Sequence, residues 1–294
     1  MLAVTPGQIK TGQLHAYLLG AIAPRPICFA STVNEAGLPN LSPFSFFNVF
    51  GSNPPTLIFS PSRRVRDNTI KHTLENIYAT REVVINVVNY AMVQQASLAS
   101  CEYPQGVNEF EKAGFTALPS EKIKPMRVKE SPVQMECVVK EIIVTGQEGG
   151  AGNLVICEPV LIHINEEILN ANGQIDPHKI DLVARMGGDY YCRASGAAVF
   201  EVAKPNTQLG IGVDALPFAI RNSCILTGNH LGLLANVHEM PVIDPAFEDV
   251  QLKNIIQYYS ITPEEMEKEL HRYAKQLLDE GKVREAWQVL LTEG

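Results

Sequence analysis

Through the first two thirds of the chain, apolar and β-branched residues fall in short runs broken by turn residues. In the last third they recur at helical spacing. Pro26 to Thr32 (PICFAST) reads as a strand and Asn34 to Asn40 (NEAGLPN) as a turn, with Gly37 placed for a positive φ. Leu41 to Val49 follows as a second strand and makes the pair a hairpin. Thr56 to Ser60 is a third strand, and Glu82 to Val88 a fourth, too rich in β-branched residues for a helix. Gln134 to Thr145 and Asn153 to Ile164 read as long strands, the second bent at Pro159, which cannot donate to a ladder. Thr69 to Thr80 carries Ile70, Leu74, Ile77 and Tyr78 at helical spacing, and Tyr90 to Ser100 reads as a second helix. Strands and helices do not alternate strictly. The pattern predicts an α+β fold, mainly antiparallel β, with the sheet closed into a barrel and helices around it.

The tail differs. Thr262-Pro263-Glu264-Glu265 has the form of a capping box with proline at the first helical position. Met266, Leu270, Tyr273 and Leu277 then recur to a stop at Gly281, and Lys282 to Leu291 is a further short helix. A helical hairpin with one apolar stripe is expected, and the charges of Glu264, Glu267, Lys268, Arg272 and Lys275 form its solvated face. The domain boundary is placed near Ala203 to Pro205, giving a barrel domain over 1–203 and a C-terminal extension over 204–294.

Composition narrows the function. The chain has 294 residues, 46% hydrophobic and 19% charged, with a formal net charge of −8. That describes a globular protein with a sizeable core and excludes disordered and coiled-coil chains. The acidic balance argues against a nucleic-acid binder. Leu18 to Ala30, the most apolar stretch, is interrupted by Pro24, Arg25 and Pro26, so no membrane span is expected. The start lacks the pattern of a secretory signal. The six cysteines have no metal-ligand spacing, and they read as reduced core thiols of a cytoplasmic protein.

Several chemistries find no motif. Gly210-Ile211-Gly212 and the glycines of Gly146 to Gly152 lack the dinucleotide fingerprint and read as turns, and no P-loop, zinc-protease or nucleophile-elbow motif occurs. The informative window runs from Phe59 to Asn76. It holds Arg63, Arg64, Arg66 and Lys71 against Asp67, with hydroxyls on Ser60, Ser62, Thr69 and Thr73 and a helix start near Thr69. Such a cluster can hold a phosphate dianion; a surface loop leading into a helix is the competing reading. The hairpin gathers Phe44, Phe46 and Phe47 beside Ser42, Ser45 and Asn48, a wall on which a flat heteroaromatic ring can rest, or else an ordinary core hairpin. Together the two suggest a nucleotide-like cofactor.

The segments APRPICFAST, NLSPFSFFN, NPPTLIFS and KHTLENI, followed by EPVLIHI and RMGGDYY, resemble the flavin reductase-like family of FMN-binding split β-barrels over roughly Gly20 to Ala198. Where the family usually reads K-D-T, this chain has Lys71-His72-Thr73. The resemblance implies FMN bound at the interface of a homodimer. Pro26, Ala30, Ser31, Thr32, Ser45, Phe46, Phe47 and Asn48 would contact the ring and ribityl parts, and Arg25, held extended between two prolines, would meet a flavin phosphate or a carboxylate of the partner subunit. Ser60, Lys71 and Thr73, with Arg66 as the nearby arginine, would hold the phosphate. It also implies an NAD(P)H-dependent flavin reductase that passes electrons to a flavin, a monooxygenase or another acceptor, or else an FMN-binding electron-transfer protein without NAD(P)H activity of its own. No acid–base residue is obligatory for flavin chemistry, in keeping with the missing triad. His163, in a late strand, is a candidate contact to nicotinamide or flavin, or else a packed histidine. Arg185, Gly187, Gly188 and Tyr190 form a further candidate, in which the glycines allow close backbone approach and Tyr190 or Tyr191 can stack on a ring, or else a chain reversal into the tail. His230 and His238 stand eight apart, wrong for a metal pair on one helical turn, and Gly228 and Gly232 suggest a loop there.

Overall fold

A computed structural model describes residues 1–205 and 208–292. The chain divides into two compact units, Met1–Phe200 and Glu201–Gly294.

The first unit opens with helix α1 (Thr11–Ala21) and strands β1 (Cys28–Val33), β2 (Pro39–Phe44), β3 (Phe47–Ser52) and β4 (Pro55–Phe59). Helix α2 (His72–Thr80), strand β5 (Glu82–Val87) and helices α3 (Val93–Leu98) and α4 (Glu109–Ala113) follow. Two short strands, β6 (Ala117–Leu118) and β7 (Arg127–Val128), precede the long pair β8 (Val133–Val144) and β9 (Asn153–Ile164), and β10 (Val183–Arg185) and β11 (Tyr191–Arg193) make a small hairpin. Seven strands form one antiparallel sheet in the order β2-β1-β5-β8-β9-β4-β3. Its two outermost strands are consecutive in sequence, joined only by Ser45 and Phe46. An open sheet would hold those strands about 29 Å apart at roughly 4.8 Å per strand, whereas that link spans at most about 11 Å. The sheet therefore curls into a barrel, and β2 and β3 face each other across a split without a ladder between them.

Leu41 to Val49 is thus not one strand. Prolines at 39 and 43 confine β2 to an edge, and the chain leaves the β1–β2 ladder after Phe44 to start the far edge at Phe47. Pro159 sits opposite Cys137, where the β8–β9 register shifts, which is the bend expected from its missing N–H. The barrel core gathers Cys28, Ala30, Phe44, Phe59, Leu74, Ile77, Ile85, Cys137 and Cys157. Burial pushes the Cys28 and Cys157 thiols well above their ordinary range, so they are inert packing groups. Cys101 and Cys224 are exposed, a correction to the reading of the cysteines as core residues.

The second unit is helical, with α5 (Phe218–Arg221), α6 (Gly228–Ala235), α7 (Val250–Tyr258), α8 (Pro263–Asp279) and α9 (Val283–Leu291) around Leu234, Leu270, Ala274, Leu277 and Trp287. The expected hairpin is α8–α9. Thr262 stands at the N-cap of α8 but makes no capping bond; its hydroxyl donates to the Tyr259 carbonyl at 3.4 Å. A capping box exists elsewhere: Thr227 and His230 close one on α6, where Gly228 and Gly232 pointed to a loop, and His230 Nε2 reaches Asp279 at 2.8 Å.

His271 is buried and bonded through Nδ1 to the Ser223 hydroxyl at 2.8 Å. Burial holds its pKa below the ordinary 6.5. The unfolded chain therefore binds more protons as pH falls through that value, and stability drops with pH. Thermal unfolding followed by helical circular dichroism should show a lower midpoint at about pH 5 than at about pH 7, with the difference reduced in His271→Gln. An unchanged pH slope in that variant would reject the assignment.

Candidate functional site

The split is where the chemistry-bearing residues converge. At its centre lies a hollow of about 190 Å³ lined by Pro43, Phe44, Ser45 and Phe46 of the link, Ser60 and Ser62 after β4, Lys71, Arg25, Arg185, and His15 and Leu19 of α1. This lining holds three arginine or lysine side chains and no acid, in a chain of net charge −8. Lys71 and Ser100 lead to a smaller recess with Arg64, Thr73 and Glu102. Pro43, Phe44, Ser45 and Arg185 open onto a cavity of about 480 Å³ that also takes in Ile27, Ser97, Asp189 and Tyr191.

Local sequence explains the placement. The segment after β4 runs extended and is propped by the turn between β8 and β9. The Arg63 N–H donates to the Ala151 carbonyl at 2.9 Å and the Arg63 carbonyl accepts from the Gly150 N–H at 3.1 Å, and a Cβ on Gly149 would sit 3.1 Å from Arg64 and Val65 backbone atoms. The glycines of Gly146 to Gly152 thus support the basic loop. Lys71 is the N-cap of α2, which starts at His72 and not at Thr69, so its ammonium stands over the first turn, 5.7 Å from the Phe44 ring centroid. Burial, then the nearby Arg64, lower its pKa from 10.5. It makes no ion pair among the described residues, and an anion in the recess would relieve both effects.

Of the predicted contacts, the structure brings Arg25, Ser45, Phe46, Ser60, Lys71 and Thr73 to these hollows. Others are elsewhere. Ala30, Ser31 and Thr32 have no exposed surface, since β1 lies inside the sheet between β2 and β5; Thr32 accepts from Asn76 instead. Pro26, Phe47 and Asn48 line none of the three, and Asn48 turns its side chain onto the Val49 N–H at 2.8 Å. Arg66 points out, 74% exposed and paired with Asp67 and Glu102, while Arg64 takes the inward place. Tyr190 is 77% exposed, and Tyr191 lines the cavity in its stead. Arg25 is bound by protein: its guanidinium donates to the carbonyls of Leu19 and Ile22 at 2.6 Å each and of Met186 at 2.9 Å, tying the end of α1 to the loop after β10.

His163 is also outside. It lies ten residues along β9 from Asn153, whose N–H bonds Ser60, a distance of roughly 30 Å at about 3.3 Å per residue. There its Nε2 meets the buried Glu136 carboxylate at 2.8 Å. His15 and Leu19 of the hollow escaped the sequence reading, which named Arg64 only within the basic window and gave the phosphate to Arg66. Arg64 and Arg66 share the parity of Ser60 and Ser62, so alternation alone does not separate them; Arg66 falls in the turn 65–67 and points away. His15 and Leu19 stand one helical turn apart, and the His15 ring meets the Phe46 ring at 6.2 Å.

The model of the flavin reductase-like domain matches residues 20–179. The chain belongs to the flavin reductase-like family. A relative from Aquifex aeolicus, an uncharacterized protein, is 36% identical over 189 residues, covering 64% of this chain and 94% of its own length. Among solved structures, nitrilotriacetate monooxygenase component B from Bacillus cereus matches this family member at 28% identity and a TM-score of 0.64, over 69% of this chain and 98% of the other. A protein with a split barrel domain from Shewanella frigidimarina matches at 27% identity and 0.57, over 67% and 96%. The fold is therefore the family's split barrel. The helical unit 201–294 lies beyond the segment that the family model matches.

Proposed function

We propose that this chain binds FMN along the split and acts as an NAD(P)H-dependent flavin reductase. The observation that carries this is the acid-free central hollow, in which Lys71, Ser60 and Ser62 face the wall of Pro43, Phe44 and Phe46, continued through Lys71 into the recess of Arg64 and Thr73, where Glu102 pairs with Arg64. The donor set fits a phosphate, and the wall fits a flat ring. Lys71 and Arg64 would hold the phosphate, the Ser45–Phe46 backbone would border the ring, and α1 would cover it through His15 and Leu19. When bound, FMN supplies the capacity to take up an electron pair; the protein supplies binding, orientation and a fixed field.

A homodimer belongs to this reading. Val49 and Phe50 on the edge strand β3, and Val160, Ile162 and Ile164 on β9, are large apolar side chains left exposed in the single chain. Sedimentation equilibrium should give twice the chain mass, and a monomer at every concentration would remove the shared site. A monooxygenase or electron-transfer partner as acceptor, and a cytoplasmic setting, complete the proposal.

The test is the absorbance spectrum of protein reconstituted with FMN, followed by anaerobic NADH and then NADPH. Bleaching by either supports the reductase, whereas FMN that binds tightly and stays oxidised with both supports an electron-carrier reading. Failure to bind FMN rejects both. Lys71→Ala should weaken FMN by about 1.5–3 kcal/mol, roughly 10- to 150-fold in Kd, through loss of a charge-assisted bond to phosphate. The check is fluorescence titration with riboflavin as control, since riboflavin lacks the phosphate and should bind both proteins alike.

A further inference from the structure

Arg25 and Arg185 stand directly opposite each other in an isolated antiparallel bridge, the N–H of each donating to the carbonyl of the other at 2.9 Å. Residues paired in this way have Cα atoms about 5.5 Å apart and side chains on one face, and like charges there destabilise the pairing. Neither guanidinium has an ion-pair partner among the described residues. Arg25 is buried with only carbonyl acceptors, and burial, then Arg185, hold its pKa below the ordinary value. Arg185 makes no side-chain hydrogen bond among the described residues. Its guanidinium lies over the Tyr191 ring at 4.7 Å, which fixes its plane and leaves its edges open. It is also the one charged residue that lines both the central hollow and the 480 Å³ cavity. That cavity is floored by Ile27, Pro43 and Phe44 and rimmed by Ser97 and Ser100, with Asp189 as its single acid. Arg185 thus faces a ligand-sized cavity with Arg25 beside it on the central hollow, and two adjacent cations without a counter-charge are a standing cost that an anion on Arg185 would lower.

We propose that Arg185, set beside Arg25, anchors a second ligand of this site: an anionic redox ligand whose carboxylate or phosphate pairs with the Arg185 guanidinium while its planar part rests on Pro43 and Phe44. This rests on the flavin reading, because the shared wall of Pro43, Phe44 and Ser45 would bring that ligand beside the ring. The two sources of such an anion are the diphosphate of a pyridine dinucleotide and the carboxylate of an aromatic acid.

Inorganic pyrophosphate and benzoate separate them. Each is titrated calorimetrically into the full chain with and without FMN, for the wild type, Arg185→Gln and Arg185→Lys. One probe should bind the wild type and weaken roughly tenfold or more in Arg185→Gln, the loss of a charge-assisted pair, with partial recovery in Arg185→Lys. FMN affinity is measured on the same variants and should fall by less than the probe's, because Arg185 also borders the central hollow where Lys71 and the hydroxyls remain. The probe that binds identifies the source. Because Arg185→Gln removes one of two facing cations, it should melt no lower than the wild type. The proposal falls if neither probe binds the wild type, if Arg185→Gln binds as the wild type does, or if Arg185→Gln loses FMN as severely as the probe. If the wild type takes up a probe through Arg185 but never binds FMN, the flavin reading fails and the anion anchor stands.

Discussion

Replacing Glu136 with alanine is expected to cost about 3–5 kcal/mol of unfolding free energy, the range for stripping one partner from a buried charged cluster. The carboxylate has no exposed surface and accepts from the Glu121 N–H at 2.9 Å, the Lys122 N–H at 2.7 Å and His163 Nε2 at 2.8 Å, with Arg127 Nε at 3.9 Å. Alanine would leave all of these facing a void. Burial alone would push the carboxyl pKa up, but the N–H donors and His163 outweigh it and hold the value below 4.5. The sign follows. With a depressed folded-state pKa the unfolded chain binds more protons, so the stabilisation is complete above about pH 4.5 and fades as pH falls through the folded value. Urea denaturation at about pH 7 should show the full loss and at about pH 4 a smaller one. A loss under about 1 kcal/mol at neutral pH would mean that the cluster is not energetically coupled.

Arg25→Ala should act locally and on ligand. Its three bonds to carbonyls, two of them near the end of α1, are the main polar ties of a helix that buries none of its own residues. Hydrogen bonds to a charged group contribute about 1.5–3 kcal/mol each, and relief of the repulsion with Arg185 returns part of that. A net local loss of about 3 kcal/mol corresponds to roughly hundredfold faster amide exchange over α1. Exchange in the barrel strands should be unchanged. FMN affinity should fall with it, because His15 and Leu19 leave the central hollow. Faster exchange throughout the barrel would instead mean that Arg25 supports the whole unit.

The two predictions separate parts of the molecule that the sequence revealed unequally. Alternation and turn chemistry marked β1, β5, β8 and β9, and helical spacing marked α2 and α8, because each of these depends on local pattern. The break at Ser45–Phe46 was hidden, since Leu41 to Val49 is continuous in composition and only closure of the sheet divides it. Lys71, Ser60 and Thr73 were legible as a cluster of donors near a helix start. The pairing of Arg25 with Arg185 was not, because the partners are far apart in sequence and meet only through a bridge outside the named strands. The same limit applies to His163. Its strand was right, but which end of a twelve-residue strand borders the split is a matter of topology.

The Ser45–Phe46 link carries one more consequence. No ladder joins β2 to β3, so a chain opened between these two residues would lose no interstrand bond of the sheet. A circular permutant with its new ends there should keep the whole ladder of the barrel while losing the rim of the groove. Foldability and ligand capacity, entangled everywhere else in this unit, come apart at a single peptide bond.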